Sequence, residues 1–255
     1  MEVEQVLAGG NASGSVVRVG DTVRKSWTAA TPSVISFVEA VRAAGVEAPA
    51  PMGRDETGRQ VQELIPGRLA MNSDPLSLPE LHRVGALVRA IHDASSDHVP
   101  AADAVWETAI AAPGDDLVCH NDLAPWNLIM GERWVFIDWD AAAPSTRLWD
   151  LAYAAQTFTL SDVGLDPERA APGLAAFVDG YDADGRIREQ LPDALSRRTE
   201  AMYDLLYTST LARNEPWASM FADGHGEHWK AAAHYVEAHR AVWTAALATS
   251  PQTYE

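Results

Sequence analysis

The stretch LVCHNDLAPWNLIMGERWVFIDWD, residues 117–140, alternates short apolar runs with polar turns. Leu117–Val118, Leu128–Met130 and Trp134–Ile137 are the apolar runs, each of strand length, and a turn at Gly131 separates the last two. Between and after them stand His120, Asp122, Asn127 and Asp138, spaced H-x-D-x(4)-N with a second Asp eleven positions on. Asp and Asn also favour turns for their own backbone hydrogen bonding, so any loop can contain them. Here the spacing is met at four positions inside a strand–loop–strand–turn–strand context, and that context gives it meaning.

The residue types suit one chemistry. Phosphoryl transfer from a nucleotide needs a carboxylate to take a hydroxyl proton, then an amide and a carboxylate to hold Mg²⁺ against phosphates. The segment resembles the catalytic and metal-binding loops of the aminoglycoside phosphotransferases, small-molecule kinases that share the protein-kinase fold. The resemblance implies an α+β, protein-kinase-like bilobal fold. Residues 1–66 would form a small β-rich nucleotide-binding lobe, and 67–255 a large, mainly helical catalytic and acceptor-binding lobe. It implies Asp122 as catalytic base, Asn127 and Asp138 as metal ligands, and ATP with Mg²⁺ as cofactors, GTP remaining open. His120 would brace the loop. In RLWDLAYAA, residues 147–155, Asp150 would tether it. Only residues 117–155 carry the specific part of the likeness; the rest of the chain is consistent with it.

Composition sets the frame. The chain has 255 residues, 47% apolar and 22% charged, ordinary for a soluble globular protein. No apolar run reaches the ~18 residues of a membrane span. The start, MEVEQVLAGG, is acidic and lacks the basic flank and apolar core of a secretory signal. Cys119 is the single cysteine, which fits a reducing cytoplasm. A formal charge of −17 opposes a nucleic-acid partner. The charge is uneven: residues 1–66 hold six Lys/Arg against eight Asp/Glu, and residues 67–255 thirteen against twenty-eight. Such a field would favour a cationic small-molecule acceptor, although an acidic surface also serves solubility alone. Asp140 and the run Asp179, Asp182 and Asp184 are the candidates for that contact.

On the nucleotide side, LAGGNASGSV places Gly10 and Gly14 in a turn between strands, without matching either G-x-G-x-x-G or a Walker loop. Lys25 shares a strand face with Val23, which suits an ammonium at the phosphates; Arg24, pointing the other way, is the alternative. A helix opening at Thr31-Pro32 offers only Glu39 as an acidic partner for this lysine. The family position falls nearer Val34 or Ile35. In Gln62–Ile65, which resembles the kinase hinge, the Glu63 carbonyl and Ile65 amide are the expected adenine contacts.

Elsewhere the pattern predicts a hairpin over 50–65 and a helix near Pro79 to Ala94. Further helices are expected at about 147–158, 168–180, 187–213 and 227–248. Asp140, two residues beyond Asp138, faces the same side of a strand and so can reach a metal or a cationic substrate. Trp126 can line the acceptor pocket or pack beneath the loop. His225, His228, His234 and His239 lack the spacing of a metal site. Two other functions stay open: a nucleotide-binding module without catalysis, and a protein kinase. Against the second, the short interval from Asp138 to Asp150 leaves little room for an activation segment.

Overall fold

Alternation of inward apolar and outward polar residues builds the first layer. Strands β1 (Glu4–Val6), β2 (Val17–Val19), β3 (Thr22–Lys25), β4 (Pro51–Arg54) and β5 (Gln60–Glu63) pair antiparallel in the order β1-β2-β3-β5-β4. The structure, a computed structural model, describes residues 4–7, 16–249 and 254. Gly10 and Gly14 lie outside the described residues. In β3, Val23 and Lys25 are the buried pair, and Lys25 stands opposite Gln60 in the neighbouring strand. Helix α1 (Thr31–Ala43), opened by Pro32, buries Val34, Phe37, Val38 and Val41 at helical spacing. Phe37 meets Trp139 edge-on at 5.7 Å and His98 at 5.3 Å, which ties the helix to the segment after Asp138.

From this sheet the chain passes through β6 (Arg68–Leu69) to α2 (Leu78–Ser95). The N-terminus of α2 is held by the Ser77 N–H donating to the Glu80 carboxylate, 2.8 Å away. The apolar runs of 117–138 become β7 (Leu117–Cys119), β8 (Leu128–Met130) and β9 (Trp134–Phe136), followed by β10 (Ala143–Ser145). They form two small sheets, β6-β8-β9 and β7-β10. Around them pack α3 (Arg147–Thr159), α4 (Pro167–Gly180), α5 (Gly185–Ala212), α6 (Trp217–Met220), α7 (Gly226–Ala238) and α8 (Arg240–Leu247). The architecture is the expected α+β one: a small antiparallel sheet before a largely helical part. No helix among the described residues is long and apolar enough to cross a membrane.

Two expectations need correction. The helix expected over 227–248 is two helices, α7 and α8, broken at His239, whose backbone (φ −111, ψ 21) leaves the helical range. Trp229, Val236 and Trp243 are nevertheless all buried, so apolar spacing alone does not reveal the break. The short α6 was not expected, being below the length at which periodicity speaks.

The tightest packing is between α2 and α4. A Cβ built on Gly85 would lie 1.9 Å from the carbonyl oxygen of Phe177, and one on Gly180 would lie 1.9 Å from that of His82. The two backbones touch, and neither position has room for a side chain. Gly85→Ala should therefore cost about 1–3 kcal/mol, the range for overpacking, read as the shift of a urea unfolding transition. A loss below about 0.5 kcal/mol would mean that these helices separate freely, contrary to the close approach.

Candidate active site

The loop between β7 and β8 carries Asp122. Its turn is made by Asn121, which adopts the left-handed conformation (φ 63) that Asn tolerates better than most residues. Two anchors fix this turn. The Asn121 N–H donates to Asp150 Oδ1 at 2.9 Å, and its amide donates to the carbonyls of Ala141 and Ala143, each at 3.2 Å. Asp150, in the first turn of α3, is itself buried, and its other oxygen meets His92 Nε2 at 3.0 Å. His92 Nδ1 in turn contacts the Tyr181 hydroxyl at 2.8 Å. The loop is thus held from α3, with α2 and the residue after α4 behind it.

His120 closes the loop from below. Its Nε2 donates to the Ile137 carbonyl at 3.1 Å, and its Nδ1 accepts from the Asp122 N–H at 3.3 Å, which sets the tautomer. Burial holds this imidazole below its usual pKa. Neutral and doubly engaged, it spans the Asp122 loop and the end of the segment leading from β9 to Asp138.

Both oxygens of the Asp122 carboxylate are held. Tyr153 donates its hydroxyl to Oδ1 at 2.9 Å, and Asn127 donates its Nδ2 to Oδ2 at 2.8 Å and to the Asp122 carbonyl at 3.0 Å. Burial, joined by the charge of Asp138, pushes the Asp122 carboxyl up to about 6, against these two hydrogen bonds and the charge of Arg198. Arg198 is buried, its guanidinium 4.1 Å from the centre of the Tyr153 ring. Sequence reading missed Tyr153 and Arg198. Tyr153 lies three residues beyond Asp150 on α3, close enough in helical phase to have been suspected. Nothing in the charged run around Arg198 marks it.

Asp138 faces the sheet. Asp138 follows β9 in a left-handed conformation (φ 60, ψ 64), a sparsely populated state for a non-glycine residue. Lys25, only 3% exposed, places Nζ 3.0 Å from Asp138 Oδ1 and 2.7 Å from Asp140 Oδ1. Burial alone would push this ammonium's pKa down, yet the two carboxylates hold it above the usual lysine value. Arg24 instead turns to Thr22 and to Asp55 at 3.6 Å. Of the two basic residues ending β3, Lys25 faces the site. Asp138 and Asn127, whose Nδ2 points at Asp122 and so turns its Oδ1 elsewhere, are hard oxygen donors. They fit a small divalent cation beside phosphates.

Other expected residues fall as follows. Asp140 contacts Lys25 and, at 3.4 Å, Gln60 Nε2, so its carboxylate faces the sheet. Trp126 is half-buried and edge-on to Tyr153 at 6.4 Å, packed with the cluster that holds Tyr153, Met202 and Trp229. Glu63 ends β5, its side chain accepting from the Ala50 N–H at 3.1 Å and from Arg133 at 2.6 Å. Ile65 packs with Ile129 and Val135 beneath the catalytic hairpin. Glu39 is exposed and takes no place beside Lys25. Asp179 is paired with Arg188 at 2.6 Å, and Asp184 caps α5 through the Ile187 N–H, so these two acids serve the α4–α5 turn. Cys119 is buried, and burial pushes its thiol up, which removes thiolate chemistry.

Comparison with known proteins gives a consistent picture. A model of the phosphotransferase enzyme family (APH) matches residues 28–190. The trifolitoxin immunity protein of Rhizobium leguminosarum bv. trifolii is 30% identical over 162 residues, which make up 60% of this chain. The match spans 61% of that relative's length. Among solved structures, amicoumacin kinase hAmiN, in complex with AMP-PNP, Ca²⁺ and Ami, superposes with a TM-score of 0.67 at 14% identity, covering 92% of this chain and 88% of that one. A microcompartment-associated aminopropanol kinase gives 0.64 at 15%, covering 95% and 94%. A choline/ethanolamine kinase family protein from Mesorhizobium loti gives 0.59 at 18%, covering 96% and 92%. At such identities the likeness is one of fold, and the fold is kinase-like.

The hydrogen bond from Tyr153 favours the ionised form of Asp122. Tyr153→Phe should therefore raise the Asp122 carboxyl pKa above about 6, as followed by the carboxyl carbon resonance in an NMR titration. An unchanged or lower value would show that the phenol does not act on this carboxylate.

Proposed function

The chain belongs to the phosphotransferase enzyme family, and on that footing we propose that it transfers the γ-phosphoryl group of ATP to a hydroxyl of a small molecule. One observation carries this most: a carboxylate held at both oxygens by Tyr153 and Asn127, on a loop whose His120 also grips the strand leading to Asp138. Asp122 acts as the base. Ionised above about pH 6, it orients the acceptor hydroxyl and takes its proton as the new bond forms. When bound, ATP–Mg²⁺ supplies the phosphoryl group and a cation that offsets its charge. Asn127 and Asp138 hold the divalent ion, Lys25 offers its ammonium to the phosphates, and the β5 end at Glu63–Ile65 meets the base of the nucleotide. Residues 1–66 then serve the nucleotide and 67–255 the chemistry and the acceptor. The single buried thiol suits the cytoplasm.

A protein substrate is disfavoured. Asp150 follows Asp138 by twelve positions, and the eleven residues between them are spent on a tight turn, β10 and the start of α3, with no room for a long docking segment. The test is a panel of hydroxylated amines, sugars and antibiotics screened for acceptor-stimulated ADP release, with Asp122→Ala as control. No stimulation by any acceptor, or equal stimulation in the variant, would overturn the proposal.

Asp122→Asn should lower turnover by about 10²–10⁴, the usual contribution of a positioned base, while Mg-ATP affinity stays nearly unchanged. Asp138→Asn should lose both, because it removes a metal ligand. In the wild type, turnover should fall as pH drops through about 6 and the base takes up a proton. A variant of Asp122 retaining more than about a hundredth of the activity would exclude it as base.

The acceptor is expected to be cationic. The acidic balance lies in residues 67–255, and names such as aminopropanol kinase and choline/ethanolamine kinase among the structural neighbours point to amines. Trp126, half-buried and edge-on to Tyr153, puts aromatic surface near the base, which also suits a cation. The relative named for trifolitoxin immunity keeps an antibiotic among the candidates. For a steered cation, kcat/KM for the acceptor should fall as salt rises and the Debye length shrinks to ~8 Å at about 0.15 M. A neutral acceptor, or one whose kcat/KM ignores salt, would contradict this.

A further inference from the structure

Lys25 carries a buried charge with two carboxylates on it, Asp138 at 3.0 Å and Asp140 at 2.7 Å. If Asp138 is to hold a divalent ion, its attraction for the ammonium is divided, and a buried cation with no firm partner is costly. Helix α1 offers no substitute. Val34, Ile35 and Val38 border the same cavity as Lys25, and Glu39 points to solvent. Asp140 is braced independently: Gln60 Nε2 lies 3.4 Å from its Oδ1 and donates at 3.2 Å to the Ser26 carbonyl.

We propose that Asp140 is the standing partner of Lys25, a positioning residue that keeps the ammonium aimed at the phosphates while Asp138 serves the metal. This rests on the reading of Lys25 as the phosphate-binding group. It assigns Asp140 neither to the acceptor nor to the metal. It also has a mechanical consequence. The lysine is positioned by the turn that carries the metal ligand, so a swing of α1 would not disconnect it.

The chain has only two lysines, Lys25 and Lys230, and Lys230 is exposed, so amine acylation followed by mass spectrometry reads Lys25 against an internal standard. In the metal-free wild type, Lys25 should label far more slowly than Lys230. Asp140→Asn should speed Lys25 labelling roughly tenfold, as expected on loss of one charge-assisted hydrogen bond, and leave Lys230 unchanged. Glu39→Gln should change neither. In turnover, Asp140→Asn should raise the KM for ATP and lower kcat, with the acceptor KM and the Mg²⁺ requirement unchanged. Asp140→Glu, which keeps the charge, should restore most of both readouts and covers the case in which the Asn variant folds poorly. Unchanged Lys25 labelling in a folded Asp140→Asn variant would overturn the proposal. So would an effect confined to the acceptor KM or to the Mg²⁺ requirement, or an equal effect of Glu39→Gln. Should the wild type show no phosphotransfer at all, the proposed function fails, while the labelling comparison still decides the pairing.

Discussion

The ammonium of Lys25, buried between Asp138 and Asp140, is the contact on which the site depends. It joins the last residue of β3 to the turn after β9, two segments more than a hundred residues apart in sequence. A lysine this buried is tolerated only with paired charge, so the sheet and the catalytic hairpin must sit in one register for the chain to fold well. The same constraint explains the left-handed backbone at Asp138. That conformation turns the chain sharply at the end of the strand and leaves Asp138 and Asp140, two residues apart, on the same ammonium.

A second set of contacts fixes Asp122, and beyond Asn127 of its own loop it comes from the helices. Asp150 holds the loop backbone at Asn121, Tyr153 holds one oxygen of Asp122, and both lie on α3. One rigid helix therefore positions both the loop and its reactive group. The cation of Arg198 over Tyr153 comes from α5 and compensates part of the charge buried with Asp122. His120 links this set to the first, since it bonds both the Asp122 N–H and the Ile137 carbonyl beside Asp138.

Much of this was legible in the sequence for a physical reason: local periods report local structure. The apolar runs at 117–118, 128–130 and 134–137 became β7, β8 and β9, and Val34, Phe37, Val38 and Val41 became the buried stripe of α1. Strand parity set Lys25 and Arg24 on opposite faces, and β3 buries the first and leaves the second partly exposed. What stayed hidden depends on contacts between distant segments. Tyr153 reaches Asp122 across 31 positions, and Arg198, a further 45 on, lies over the Tyr153 ring. Asp140 was read as a residue for metal or substrate by strand parity, but it lies in the tight turn after β9 rather than on a strand, and the turn brings it to Lys25 at the end of β3. The break at His239 escaped because apolar residues at helical spacing are buried on both sides of it.

The most direct test of the account is calorimetric titration of ATP into the protein, with and without Mg²⁺, for the wild type and for Lys25→Met. If the ammonium between the sheet and the hairpin is the heart of a nucleotide site, the wild type binds one ATP in a metal-dependent manner and the variant loses most of that affinity. Binding of equal strength in both proteins, or none in the wild type, would contradict it.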